Sequence, residues 1–178
     1  ETRLGSGGLG YGVDEGVFAW GEDCLGITCG ELAWAPSTAT DRADGCASIV
    51  RLRPGARDRR AAVDEDVIES VMGPRPAGRA LVFEDQYLST GGQLFELACG
   101  HDRFVADIRP WASSIEEAAG RPRLLTAHPY DLAAWPIAAA LGVVLEDPGG
   151  GPLDAPLAVE SAVAWAGHAK PSLPHLVA

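Results

Sequence analysis

The chain is poor in positive charge, has no long apolar run and carries few cysteines, and each shortage excludes something. Against 25 aspartates and glutamates stand only 14 lysines and arginines, a formal net charge of −11 over 178 residues. Such a surface repels nucleic acid and anionic membranes, so neither is expected as a partner. A phosphorylated ligand remains compatible with it if a metal cation offsets the repulsion locally. No apolar run approaches the ~18 residues of a membrane span, and no secretory signal pattern opens the chain. The four cysteines, Cys24, Cys29, Cys46 and Cys99, form no C-x-x-C pair, and no histidine lies at zinc-finger spacing from two of them. Reduced thiols in a cytoplasmic protein are the expectation. Cys99, inside an apolar helical run, reads as a buried hydrophobe. The first residue is Glu1 rather than Met, which points to a processed, trimmed or partial chain.

What is present is ordinary for a globular domain: 47% hydrophobic and 22% charged residues. Residues 1–24 are Gly-rich and aperiodic, and read as a flexible end. Their GSGGLG run lacks the preceding strand that a phosphate-cradling loop requires. Residues 25–178 read as a single α/β domain. Strands are expected over 25–34, 46–53, 79–85 and 103–110, and again over 121–127, within the run GVVLED and over 162–169. A short amphipathic helix is expected over 63–73. Its Val63, Val67, Ile68, Val71 and Met72 share one face, and Asp64, Glu65 and Asp66 sit in its first turn, where the helix dipole favours them. Residues 54–60 before it read as a charged turn. Further helices are expected from Thr90 to the stop at Gly100, over 113–120 with Ser113 or Ser114 as cap, and from Pro129 to Leu141 with a kink at Pro136. Alternating strands and helices imply a layered α/β fold, a sheet flanked by helices.

Three clusters could carry chemistry. Ser89, Thr90, Gly91, Gly92 and Gln93 form a strand-to-helix junction, preceded by Glu84, Asp85 and Gln86. Backbone N–H groups at such a helix start can hold an anion or a hydroxyl; the plainer reading is a capped helix with Ser89 or Thr90 as N-cap. Asp107 ends a strand, where it could accept hydrogen bonds from a polyol or pair with Arg109 at the surface. Asp131, in the run His128-Pro129-Tyr130-Asp131, sits on the first turn of a helix; capping explains it as well as ligand binding does. His128 reads equally as a packed histidine or a ligand.

These segments also agree, in order, with one family. The helix VIESVMG, the strand ALVFED, the loop STGGQ, the strand RFVADIRP, and the runs HPYDLAAWPIAAALGVVLED and PGGGPLDAPL resemble the inositol monophosphatase-like phosphatases over roughly residues 35–165. The resemblance implies a hydrolase of phosphate monoesters that uses two or three Mg²⁺ ions held by carboxylates. Mg²⁺ is hard, takes oxygen ligands and neutralises the charge of phosphoryl oxygens and attacking hydroxide. Carried over, Asp131 resembles the C-terminal metal-binding aspartate, and Tyr130 stands where the family often has Trp. Ser89, Thr90, Gly91, Gly92 and Gln93 resemble the loop that faces the substrate alcohol, and Asp107 falls near a substrate-hydroxyl carboxylate. The substrate implied is a small phosphorylated polyol or sugar, and the assembly implied is a homodimer. The family's glutamate-bearing helix and Asp-Pro-x-Asp-Gly-Thr-like motif have no counterpart here; Asp14-Glu15-Gly16 and Asp44-Gly45 do not replace them. The chain therefore reads as the C-terminal half of such an enzyme, inactive alone. The rival expectation is a degenerate, non-catalytic half that binds a sugar phosphate or serves assembly.

Overall fold

The structure is a computed structural model that describes residues 35–39, 45–51, 56–73, 78, 82–84 and 89–169. The Gly-rich start, the strand expected at 25–34, and Glu15, Asp44, Asp85 and Gln86 lie outside the described residues. Five strands form one mixed sheet in the order β2-β1-β3-β5-β4: β1 (Gly45–Ile49), β2 (Val82–Phe83), β3 (Asp102–Asp107), β4 (Val143–Glu146) and β5 (Trp165–Ala169). β1 runs parallel to both β2 and β3, and β5 lies antiparallel between β3 and β4. The α/β fold expected from the sequence, a sheet flanked by helices, is the one observed.

Strand alternation divides the core in two. On one face Val105, Trp165, Val143 and Leu145 pack with Leu94, Leu97 and Ala98 of helix α2 (Thr90–Ala98) and with Ala138 of α4 (Trp135–Leu141). On the other face Ile49, Phe104, Ala106 and Ala166 pack with Val63 and Val67 of α1 (Arg57–Met72). The first face is assembled tightly around Gly167. A Cβ there would lie 2.7 Å from Leu97 Cδ1 and 3.1 Å from Trp165 Cζ3. Gly167→Ala is expected to cost about 1–3 kcal/mol through overpacking, read as a lowered urea midpoint.

Several expectations need correction. Helix α1 begins at Arg57, so residues 57–60 are helical rather than a turn. Asp64, Glu65 and Asp66 consequently lie in mid-helix, and the acid in the first turn is Asp58. α3 spans Arg109–Ala118, and its N-cap is Ile108. Ser113 therefore caps nothing; it is buried within the helix and its Oγ accepts the Leu124 N–H at 3.0 Å. Residues 121–127 form no strand. The expected Pro129 helix is broken into a 3-10 turn (Pro129–Leu132) and α4, with Pro136 in the first turn of the latter. Proline costs nothing there, because its missing N–H would have no helical partner anyway. Cys99 is the half-buried C-cap of α2 rather than a core residue.

Candidate functional site

The parallel strands β1, β2 and β3 point the same way, so their carboxyl ends share one edge of the sheet. In open α/β sheets this edge, where connections leave toward opposite faces, is the usual ligand side. Here α1 leaves β1 toward one face and α2 lies on the other.

Helix α2 places the first cluster at that edge. Ser89 is its N-cap: the backbone there is extended, and Ser89 Oγ accepts the Gly92 N–H at 3.1 Å. The Gln93 N–H donates to Ser89 O at 3.0 Å, so the first helical turn is closed by one residue. Thr90 and Gln93 are buried, whereas the space above Gly91 is open: a Cβ there would meet nothing within 4 Å.

Asp107 is the last residue of β3 and shares a face with Val105 and Trp165, the face that α2 covers. It has 0% exposure. Its Oδ1 accepts the Arg109 backbone N–H at 3.1 Å and Nε–H at 2.8 Å, and its Oδ2 accepts Nη2–H at 2.5 Å. Arg109 is itself 5% exposed. The pairing read from the sequence is therefore real, but it is buried and bidentate rather than a surface contact.

The 3-10 turn carries Asp131. Its Oδ2 accepts the His128 backbone N–H at 2.9 Å, and its own N–H donates to His128 O at 2.9 Å. His128 Nδ1 lies 2.8 Å from Ser161 O; a carbonyl oxygen only accepts, so Nδ1 donates there. The His128 and Tyr130 rings stack with centroids 5.1 Å apart. Val163 N–H donates to Ala127 O at 2.9 Å, which ties this segment to the chain entering β5. Trp165, at the start of β5, stands opposite Asp107. The turn also packs on α2. Ser89, Gln93, Asp107 and Asp131, scattered over 43 positions of sequence, thus belong to elements that meet at one end and one face of the sheet.

A second charged cluster at the same edge escaped the sequence reading. Arg51, just past β1, is paired with both Asp64 of α1 and Glu84, just past β2. Arg60, 2% exposed, donates to Val50 O at 3.3 Å. The clue was the i, i+4 spacing of Arg60 and Asp64, masked when residues 54–60 are taken as a turn. Burial pushes the Asp64 carboxyl above its ordinary 3.8, against the pull of Arg51 and with help from Glu84. A carboxylate raised on folding contributes stability below its unfolded value, which is lost as pH rises through the folded value. Asp64→Asn is expected to remove that downward slope just above 3.8, measured as urea unfolding at a series of pH values.

Among the described residues no three His, Cys, Asp or Glu side chains come together in a metal-holding group. Asp131 fits as a single ligand, since one carboxylate oxygen holds the turn and the other is left over. Asp107 does not fit, because Arg109 occupies both its oxygens. No helix among the described residues is long and apolar enough to cross a membrane.

Neither a family model nor a curated protein matches the sequence. Solved structures match its fold. A staphylococcal inositol monophosphatase, SaIMPase-II with inositol monophosphate bound, superposes with a TM-score of 0.51 at 13% identity, covering 88% of this chain and 49% of that one. The fold resembles that of the inositol monophosphatases. Staphylococcal IMPase-II on its own gives 0.50 at 13% identity over 88% of this chain and 51% of the other. The same enzyme with 2'AMP bound gives 0.51 at 12% identity, 88% and 49%. The chain therefore spans about half the length of these structures.

Proposed function

We propose that the chain is the alcohol-recognising half of an Mg²⁺-dependent phosphomonoesterase acting on a small phosphorylated polyol or sugar. The observation that carries this is the convergence of the Ser89-capped helix and the Asp131 turn at the carboxyl edge of an inositol monophosphatase-like sheet. Bound Mg²⁺ would neutralise phosphoryl oxygens and lower the pKa of a water. Within this reading Asp131 offers one ligand oxygen, its other oxygen pinned by the His128 N–H so that the carboxylate keeps a fixed direction. The start of α2 receives the alcohol portion: Ser89, Thr90 and Gln93 shape the turn, and the bare Gly91 and Gly92 let the ligand approach the backbone.

Bound inositol monophosphate and 2'AMP in the staphylococcal structures support a phosphorylated ligand as the class to test. The experiment is Mg²⁺-dependent phosphate release from sugar, inositol and nucleotide monophosphates. It is run on this chain and on the protein as encoded, including any residues that precede Glu1. Release by the encoded protein supports the reading. Binding of these esters without turnover in either form supports the second reading, a non-catalytic binding half.

Gly91→Ala separates ligand access from folding. Alanine meets no atom there and should raise stability by up to about 1 kcal/mol. Its methyl stands in the space assigned to the alcohol, so KM should rise several-fold. Unchanged KM in the stabilised variant would remove this loop from the site.

A further inference from the structure

The exposed apolar side chains of this domain are polarised. Six large ones are exposed among the described residues: Phe83, Trp111, Leu125, Tyr130, Leu157 and Val159. Phe83 is the last residue of β2, and Trp111 lies in the first turn of α3, directly past the end of β3. β4 is antiparallel to β5, as β3 is, so β4 ends and β5 begins at this same carboxyl edge. Leu157 and Val159, 93% and 70% exposed, belong to the connection between those two strands. Leu125 and Tyr130 flank Ala127 and His128, which are bonded to that connection at Val163 and Ser161. All six therefore lie on segments that end at the carboxyl edge or are tied to it, as Asp131 is. The opposite edge is finished differently. Residues 35–39 cross it so closely that a Cβ on Gly100 would lie 2.8 Å from Ala35 O. Single exposed apolar side chains are ordinary on a soluble protein, whereas a set gathered at one surface marks a contact.

Charge and coverage select the occupant. Asp147, Asp154 and Glu160 lie on the connection that carries Leu157 and Val159, and the whole chain has a net charge of −11. A two-fold contact between copies would set this acidic connection against itself, and an anionic membrane would repel it. The inositol monophosphate-bound staphylococcal structure matches 88% of this chain with only 49% of its own length, so half of that fold lies beyond what this chain covers. We infer that the carboxyl edge is the docking surface for a protein domain equivalent to that uncovered half, which buries Trp111, Tyr130 and Leu157 and closes over Asp131. That the domain is a phosphatase half rests on the function proposed above; that protein covers this edge does not.

Hydroxyl-radical labelling read by mass spectrometry tests this on the present chain and on the protein as encoded, including any residues that precede Glu1. Trp111, Tyr130 and Leu157 should label several-fold more slowly in the encoded protein. His101, whose side chain is 71% exposed at the opposite edge, should label equally in both and serves as the control. Leu157→Asp should restore labelling of Trp111 and Tyr130 in the encoded protein. It should leave the urea midpoint of the present chain unchanged, because a side chain 93% exposed holds nothing in this fold. Equal labelling of Trp111 and Tyr130 in the two forms overturns the inference. Protection in the present chain that grows with its concentration also overturns it, since the occupant is then a second copy. Protection in an encoded protein that releases no phosphate upholds the inference and sinks the phosphatase reading. Phosphate release with Trp111 and Tyr130 still labelled as in the present chain sinks the inference alone.

Discussion

Asp131→Asn is expected to lower Mg²⁺-dependent phosphate release by more than about 100-fold in the encoded protein, with stability changed by less than about 1 kcal/mol. The two halves of that expectation have different causes. The carboxylate does two jobs: one oxygen accepts the His128 N–H at 2.9 Å, and the other is left for a ligand. An asparagine still offers a carbonyl oxygen to the N–H, so the 3-10 turn keeps its cap. The substitution removes the negative charge, which a hard dication needs and a cap does not. Steady-state hydrolysis at saturating Mg²⁺, together with a denaturation curve, therefore separates the two roles. Near-normal turnover in a stably folded Asp131→Asn protein would falsify the assignment of Asp131 as a metal ligand and leave it as a cap. Loss of both turnover and stability would show that the turn itself depends on the charge.

The parts of this fold that were legible in the sequence are those in which local signals agree. α2 has an N-cap serine, an apolar face and a stop at Gly100, whose φ of +79° suits glycine. β3 alternates, and both it and β4 lie close to their expected places. The errors arose where a tertiary partner overrides the local pattern. Residues 57–60 are charged and follow Pro54 and Gly55, which reads as a turn. They are helical because Arg60 reaches back into the sheet, onto Val50 O, and Asp64 one turn later meets Arg51. A helix whose most buried side chains, among the described residues, are an arginine and an aspartate carries little apolar periodicity to find. α3 was shifted by four residues for the same kind of reason. Its start is fixed by the Asp107–Arg109 pair, while the serines that resemble caps are spent inside the helix and on residue 124.

The site was partly legible. Ser89 and Asp131 announce themselves as cap residues, and capping geometry is what the structure gives them. Whether they also meet a ligand is a matter of convergence, which local pattern does not encode. It follows from register: Asp107 opposite Trp165, and Ala127 bonded to Val163 two residues earlier. The Asp107–Arg109 spacing was visible, but its depth was not. Burial comes from α2 covering that face of the sheet, and it changes a surface pair of about 0–1 kcal/mol into one whose separation costs about 3–5 kcal/mol.

Trp165→Ala is expected to destabilise the chain by about 3–5 kcal/mol, whereas Trp165→Phe should cost far less. Trp165 has 0% exposure and belongs to the same cluster as Leu94, Leu97, Val105 and Leu145, so truncation to alanine empties the centre of the larger core. Against a total stability of about 5–15 kcal/mol, that leaves a marginal fold. The phenylalanine variant differs because the indole Nε1–H is buried with no acceptor among the described residues. An unsatisfied buried donor costs about 1–3 kcal/mol, and phenylalanine removes it. This relief offsets much of the volume lost with the second ring, so a net change below about 2 kcal/mol is expected. Paired urea denaturation curves decide the point. A Trp165→Phe protein as unstable as Trp165→Ala would mean that the indole N–H is satisfied in the folded chain and contributes to holding β5 beside Asp107. Near-parental stability of Trp165→Phe would show that position 165 is selected for volume.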